Sequence, residues 1–220
     1  MLRTYKQCKG CTFHLVKIPP KYKKEVGKTT EKALLGAPKL FAYHKSVEIV
    51  IFSSIPEFVI SEVGIGANAT LQGDVVVNLD FSRRDIKKVI QKELSPVLYH
   101  EFSHVVRASI YKNLYTTLDE SLVTEGIASY IEKKLFRKKV PYIKPIKNER
   151  KYWLQAKKNM RKKDYDHSEW FFGRGKLPRW IGYRLGYLIV SSFMKKNPKV
   201  SFAELTRIKS KDIFKDSSLT

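Results

Sequence analysis

His100, Glu101 and His104 stand in the run His100-Glu101-Phe102-Ser103-His104, and their types and spacing can do chemistry. Two histidines four apart on a helix lie on one face, about one turn from each other. Both imidazoles can then ligate one metal ion, while the glutamate beside the first histidine can act as general base toward a metal-bound water. A catalytic zinc keeps three protein ligands and leaves a position open for water, so a third donor is expected elsewhere in the chain. The competing reading is two ordinary core histidines with a Glu101–Arg107 ion pair.

The flanking sequence says which element carries the pair. In PVLYHEFSHVVRASI, Ser95 suits an N-cap and Pro96 the first turn of a helix. Val97, Leu98, Phe102, Val105, Val106 and Ile110 cover most of the circumference, which predicts a largely buried helix. Its only charged side chains are Glu101 and Arg107, and a buried carboxylate needs a partner. The next helical stretch is TLDESLVTEGIASYIEKKLF, opened by Thr117 and Glu120 as a capping box. Asp119 and Glu120 suit the cap and the helix dipole, and Glu132 beside Lys133 and Lys134 is expected to be solvated. That leaves Glu125 as the candidate third ligand, against the alternative of an ordinary polar-face residue. Gly126 beside it costs roughly 1 kcal/mol relative to alanine in a helix interior, which suggests close approach of another helix, here the one bearing the histidines.

A histidine pair of this kind, followed about twenty residues later by the glutamate of TEGIASY, resembles the gluzincin metallopeptidases. YHEFSHVVR, TLDESLVTEGIASYIE, WFFGRGKLPRWIGYRLGYLIV and AELTRIKSKDIF together are similar to a bacterial family of predicted zinc-dependent proteases, a domain of unknown function, from roughly Ser46 to the C-terminus. The resemblance implies one zinc per chain, His100, His104 and Glu125 as its ligands, Glu101 as base, and a peptide or protein substrate. It does not name the substrate.

Such a peptidase needs a donor for the developing oxyanion. Tyr183, Tyr187, Arg184 and His167 are candidates, and Tyr183 is preferred among them, although for any one of them a core role is the favoured reading. Ser129, one turn after Glu125, is a possible second-layer partner of the metal site.

Composition bounds the remaining readings. The net charge is +22, and residues 133–163 hold fourteen Lys or Arg against one acid, Glu149. With Tyr142, Tyr152 and Trp153 interleaved, the span Lys133–Lys163 could meet nucleic acid or another acidic surface. A solvated lysine-rich face is the favoured reading. Cys8 and Cys11 form one C-x-x-C, which His14 could extend to three ligands; free thiols are favoured. No apolar run reaches membrane-spanning length and no signal-peptide core is present, so a cytoplasmic protein is expected.

Strands precede helices along the chain. Val47–Phe52, Phe58–Val63 and Asp74–Leu79 read as strands, Thr30–Ala42 and Ser82–Leu94 as helices, and residues 64–73 as a turn-rich connector. Gly182 and Gly186 in a buried helix from Trp180 to Met194 would permit a close helix contact, and Ser201 with Glu204 forms a second capping box. The expected fold is α+β and zincin-like, with a small N-terminal sheet on a mostly helical C-terminal part that carries the histidine helix. Residues 1–30 are expected to be a loosely ordered basic extension and 31–220 a single metallopeptidase domain. An edge strand from Ala67–Val77 would suit extended peptides. A zinc-bound but inactive binding protein and a basic nucleic-acid-binding module with a structural metal remain as alternatives.

Overall fold

The structure, a computed structural model, describes residues 6–217 except 9, 71, 112 and 113. The fold is α+β, with a mixed five-stranded sheet at the N-terminal end and a mostly helical remainder. The chain divides into two compact units, Met1–Ile110 and Tyr111–Thr220. No helix among the described residues is long and apolar enough to cross a membrane.

In the first unit the strands are β1 (Lys6–Cys8), β2 (Cys11–Val16), β3 (Val47–Ser54), β4 (Ile65–Ala69) and β5 (Val75–Asp80), in the order β1-β2-β3-β5-β4. β2, β3 and β5 run parallel, and the flanking strands pair antiparallel. Register puts Phe13 beside Ile49 and Ile49 beside Val75, with Ile51 beside Val77 in the next inward row. These residues are buried, whereas Glu48 between them is exposed and Val50, Phe52 and Val76 are half-buried, so one face of the sheet carries the core. Helices α1 (Pro20–Leu40), α2 (Ile86–Lys92) and α3 (Leu94–Ala108) pack together in this unit; α1 lies on β1 and β2, and α3 on β4 and β5.

Several expectations change here. The segment expected to be loosely ordered supplies β1, β2 and half of α1, because Cys11 and Phe13 alternate inward and Val26 lies in the core; residues 1–5 are outside the described residues. Phe58–Val63 is not a strand. Pro56–Phe58 forms a single 3-10 turn, and of the rest only Ile60 bridges back to Ile65. The partner strand β4 lies in the stretch expected to be a connector. It is an edge strand, as expected for this region, while Val75–Val77 belongs to the interior strand β5. Cys11 is a buried free thiol on the opposite strand face from His14, so those two side chains do not converge on one ion. The Cys8 side chain lies outside the described part of the structure.

The second unit contains α4 (Leu118–Phe136), α5 (Glu149–Asn159), α6 (His167–Phe172), α7 (Ile181–Lys196), α8 (Phe202–Leu205) and α9 (Ser210–Asp216). Its main packing is α4 against α7, with α9 touching both. Thr117 is the N-cap of α4, but its hydroxyl donates to Asp119 rather than closing a box with Glu120. Glu120 instead accepts from the Ser210 hydroxyl at 2.6 Å and ties α9 to α4. The capping box at Ser201 and Glu204 is present in full.

Gly126 does face a close helix, and it is α7. A Cβ on Gly126 would stand 2.3 Å from the Gly186 carbonyl oxygen, and one on Gly186 would stand 2.1 Å from that of Leu122. Both obstacles are backbone, so neither can swing aside. We expect Gly126→Ala to destabilise the protein by about 1–3 kcal/mol through overpacking, despite the roughly 1 kcal/mol of helix propensity that alanine adds. Urea unfolding monitored by circular dichroism measures this; an unchanged or raised midpoint would contradict the packing.

Candidate metal centre

Helix α3 holds its two histidines through a lock on its opposite side. Phe102, two residues from each histidine, points away from both. Its ring stacks on Phe41 at 5.8 Å and takes Tyr43 edge-on at 5.7 Å. That pair fixes the rotation of α3 and turns His100 and His104 to the other face. Their ring centroids lie 4.9 Å apart at 75°. His100, Glu101 and His104 are all buried, at 7%, 6% and 5% exposure. The helix is buried as its sequence suggests, and Arg107 is wholly enclosed; Ile110, beyond its last turn, is exposed. Ser103 donates to the His100 carbonyl at 2.8 Å and adds no donor to the histidine face.

Glu125 sits in the second turn of α4 and is 6% exposed. The Tyr115 hydroxyl donates to its Oε1 at 3.1 Å. Two imidazoles and a carboxylate, all buried and each offering one ligand atom, are residue types that could hold a metal ion. Nitrogen, nitrogen and oxygen donors, three in number, fit a zinc that retains an open position better than a closed structural site, which takes four. Ser129, a possible partner by sequence, has a buried hydroxyl with no hydrogen-bond partner among the described residues. Tyr115 lies ten residues before Glu125 in a connecting segment, and no periodicity or spacing marks it.

The remaining candidates fall into different surroundings. Tyr183 is buried among Tyr142, Phe171 and Trp180, with ring centroids at 4.9, 5.3 and 5.7 Å. Tyr187 is half-buried beside Tyr130. His167 stacks on Phe171 at 4.5 Å and meets Tyr115 edge-on at 5.9 Å. Burial lowers its pKa below the ordinary histidine value, against the opposing pull of the Glu125 and Asp166 carboxylates. Arg184 is committed to structure: it grips both oxygens of Glu149 at 2.8 and 3.1 Å and donates to the Ile143 carbonyl at 3.0 Å.

Glu132 overturns its expected solvated place. It is 1% exposed, pairs with Lys138 Nζ at 3.1 Å and accepts from the Tyr142 hydroxyl. Burial, and next the Glu132 charge, push the Tyr142 hydroxyl well above the ordinary tyrosine range, so it keeps its proton. The basic span therefore has two parts. Lys138 and Tyr142 turn inward to Glu132, whereas Lys144, Lys147, Arg150, Lys151, Lys157, Lys158 and Arg161 are exposed.

The family comparison agrees with this chemistry. Residues 27–215 match the family described as "Predicted Zn-dependent protease (DUF2268)", and the chain belongs to that family. No curated protein matches the chain, and no solved structure does.

Glu149 offers a pH-dependent check on the Arg184 clamp. Burial alone would raise its pKa, but the hydrogen bonds from Arg184 and the Ile146 N–H outweigh that and hold it below the ordinary carboxylate value. Its contribution is therefore complete above that ordinary value and fades as pH falls through the lowered one. Arg184→Gln is expected to cost about 1.5–3 kcal/mol near pH 7, towards the lower figure because the pair is partly solvated. The difference from the parent should shrink as the pH of the urea titrations drops into the carboxylate range. A loss that is the same at every pH would assign the effect to packing alone.

Proposed function

We propose that the protein is a zinc-dependent peptidase in which His100, His104 and Glu125 hold one zinc per chain and Glu101 is the general base. The observation that carries this reading is the buried face of α3, where two adjacent imidazoles share the helix with a buried carboxylate. Membership in a family described as predicted zinc-dependent proteases supports it. Zinc, when bound, supplies a Lewis acid for the scissile carbonyl and lowers the pKa of water toward neutrality.

The residues divide the remaining work. Glu101 takes a proton from the attacking water and delivers it to the leaving amine. Its burial keeps competing bulk water away from that carboxylate. Tyr183 donates its hydroxyl to the developing oxyanion. The substrate is a peptide or protein whose extended backbone pairs with the edge strand β4, which packs beside α3. In this reading residues 31–220 form one zincin-like, gluzincin-type domain, joined by β1, β2 and the first half of α1. A cytoplasmic setting fits the free Cys11 thiol. The exposed lysines of residues 144–163 form a solvated face, not a nucleic-acid site.

Metal analysis of the purified protein should return about one zinc per chain, and His100→Ala with His104→Ala should abolish it. Unchanged metal content in that double variant would sink the ligand assignment. Glu101→Gln should retain zinc and fold yet lose peptide hydrolysis by two to four orders of magnitude, the usual weight of a positioned base. If Glu101→Gln hydrolyses peptides as fast as the parent, the mechanism is wrong. If zinc is bound but no Glu101-dependent hydrolysis is found, the chain is a metal-bound binding protein instead.

A further inference from the structure

The geometry points to Tyr115 as a positioning residue that orients the Glu125 carboxylate for the metal, with Tyr165 and Ser121 holding Tyr115 in place. This rests on Glu125 being a zinc ligand. A glutamate side chain ends in a soft torsion with broad, roughly two-fold preferences, so a carboxylate on a helix does not by itself present one oxygen in a fixed direction. The Tyr115 hydroxyl donates to Oε1 at 3.1 Å. A donor on one oxygen restricts rotation about that torsion and so favours one orientation of the carboxylate.

The donor is itself held by an arrangement that local sequence does not favour. Tyr115 has a φ of 66°, the left-handed region that a bulky aromatic residue seldom enters. Strain of this kind persists only where surrounding contacts fix it, and it clusters at functional sites. Here the Tyr165 hydroxyl donates to the Tyr115 carbonyl at 3.3 Å. The same hydroxyl shares a short hydrogen bond with Ser121 Oγ. Ser121 and Glu125 stand four apart on α4, one turn from each other on one face. The loop entering α4 is thus tied to that face at two successive turns, once through Tyr165 and once directly. His167 flanks the Tyr115 ring edge-on at 5.9 Å while stacked on the fully buried Phe171, which limits sideways movement of the ring. Partners beyond the ligands commonly change metal affinity 10–100-fold when removed.

The test uses the full chain loaded with zinc and titrated with a competing chelator. Tyr115→Phe removes only the donor, and zinc affinity should fall about 10–100-fold while the zinc-free protein unfolds at the same urea concentration as the parent. The visible absorption of the cobalt(II)-loaded variant should shift, since a freed carboxylate changes the coordination geometry. Tyr165→Phe should weaken zinc less, and the double variant should bind zinc no worse than Tyr115→Phe alone, because one residue acts through the other. Zinc affinity within about threefold of the parent in Tyr115→Phe would overturn the inference, given that Glu125→Ala loses the metal in parallel. A fall in affinity matched by destabilisation of the zinc-free protein would also overturn it, as general loosening. Should Glu125→Ala keep its zinc, the ligand assignment fails first and this inference falls with it.

Discussion

The burial of carboxylates is the constraint around which both units are built. Glu101, Glu125 and Glu132 are each at most 6% exposed. Removing such a group from water costs several kcal/mol even after the protein relaxes, so each one dictates its surroundings. Glu132 does so visibly. Directly after α4, Arg137 adopts a left-handed conformation that reverses the chain, and the turn delivers Lys138 and Tyr142 onto the same carboxylate. That reversal explains why a stretch so rich in lysine begins with residues folded inward. Glu125 is met from the other end of α4 by Tyr115. The two carboxylates are seven residues apart, hence two turns apart on one face of the helix. Tyr142 feels the charge of both.

The neighbouring face of α4 has a different task. Gly126 and Gly186 let α4 and α7 approach until backbone meets backbone, with no side chain between them. Rigid contacts of that kind fix the axial register of two helices, because a shift along either axis would drive a carbonyl into a Cα. Tyr183 stands three residues before Gly186 on α7, so that register also sets where its ring lies against Tyr142. Phe171 and Trp180 then pack their rings against Tyr183 at 5.3 and 5.7 Å. Small residues at the contact and large ones around it are two halves of a single packing solution.

How much of this was legible in the sequence depended on whether the cause was local. The histidine pair and the capping box at Ser201 follow from spacings of three or four residues, which helix geometry makes meaningful; the burial of the histidine helix follows from apolar residues around its circumference, and Glu125 was singled out by elimination among the acids of α4. The strand at Val47 follows from its β-branched run. What escaped was decided at a distance. Glu132 reads as solvated because its neighbours are lysines; its partners are six and ten residues on, beyond a chain reversal that no turn signal announces. Tyr115 carries no periodicity at all. Gly126 was correctly read as a close approach, but α4 meets α7 there, and a glycine does not say which helix it faces. β2 was missed because basic and proline-rich neighbours mask six residues whose inward positions are Cys11 and Phe13.

That last segment separates two kinds of boundary. The family match starts at residue 27, inside α1, and leaves β1 and β2 outside. Physically the boundary lies earlier. β2 pairs along its whole length with β3, from Cys11 beside Val47 to Val16 beside Phe52, and Phe13 is fully buried against the core. Without β2, β3 would become an edge strand, exposing a row of unpaired backbone groups next to Ile49 and Ile51. The sheet that supports α3 would then offer a template for aggregation on the side away from β4. A sequence pattern shared across a family marks where residues are constrained in kind. A strand whose task is to cover an edge is constrained chiefly in backbone and in alternate side chains, so it can belong to the fold without belonging to the pattern.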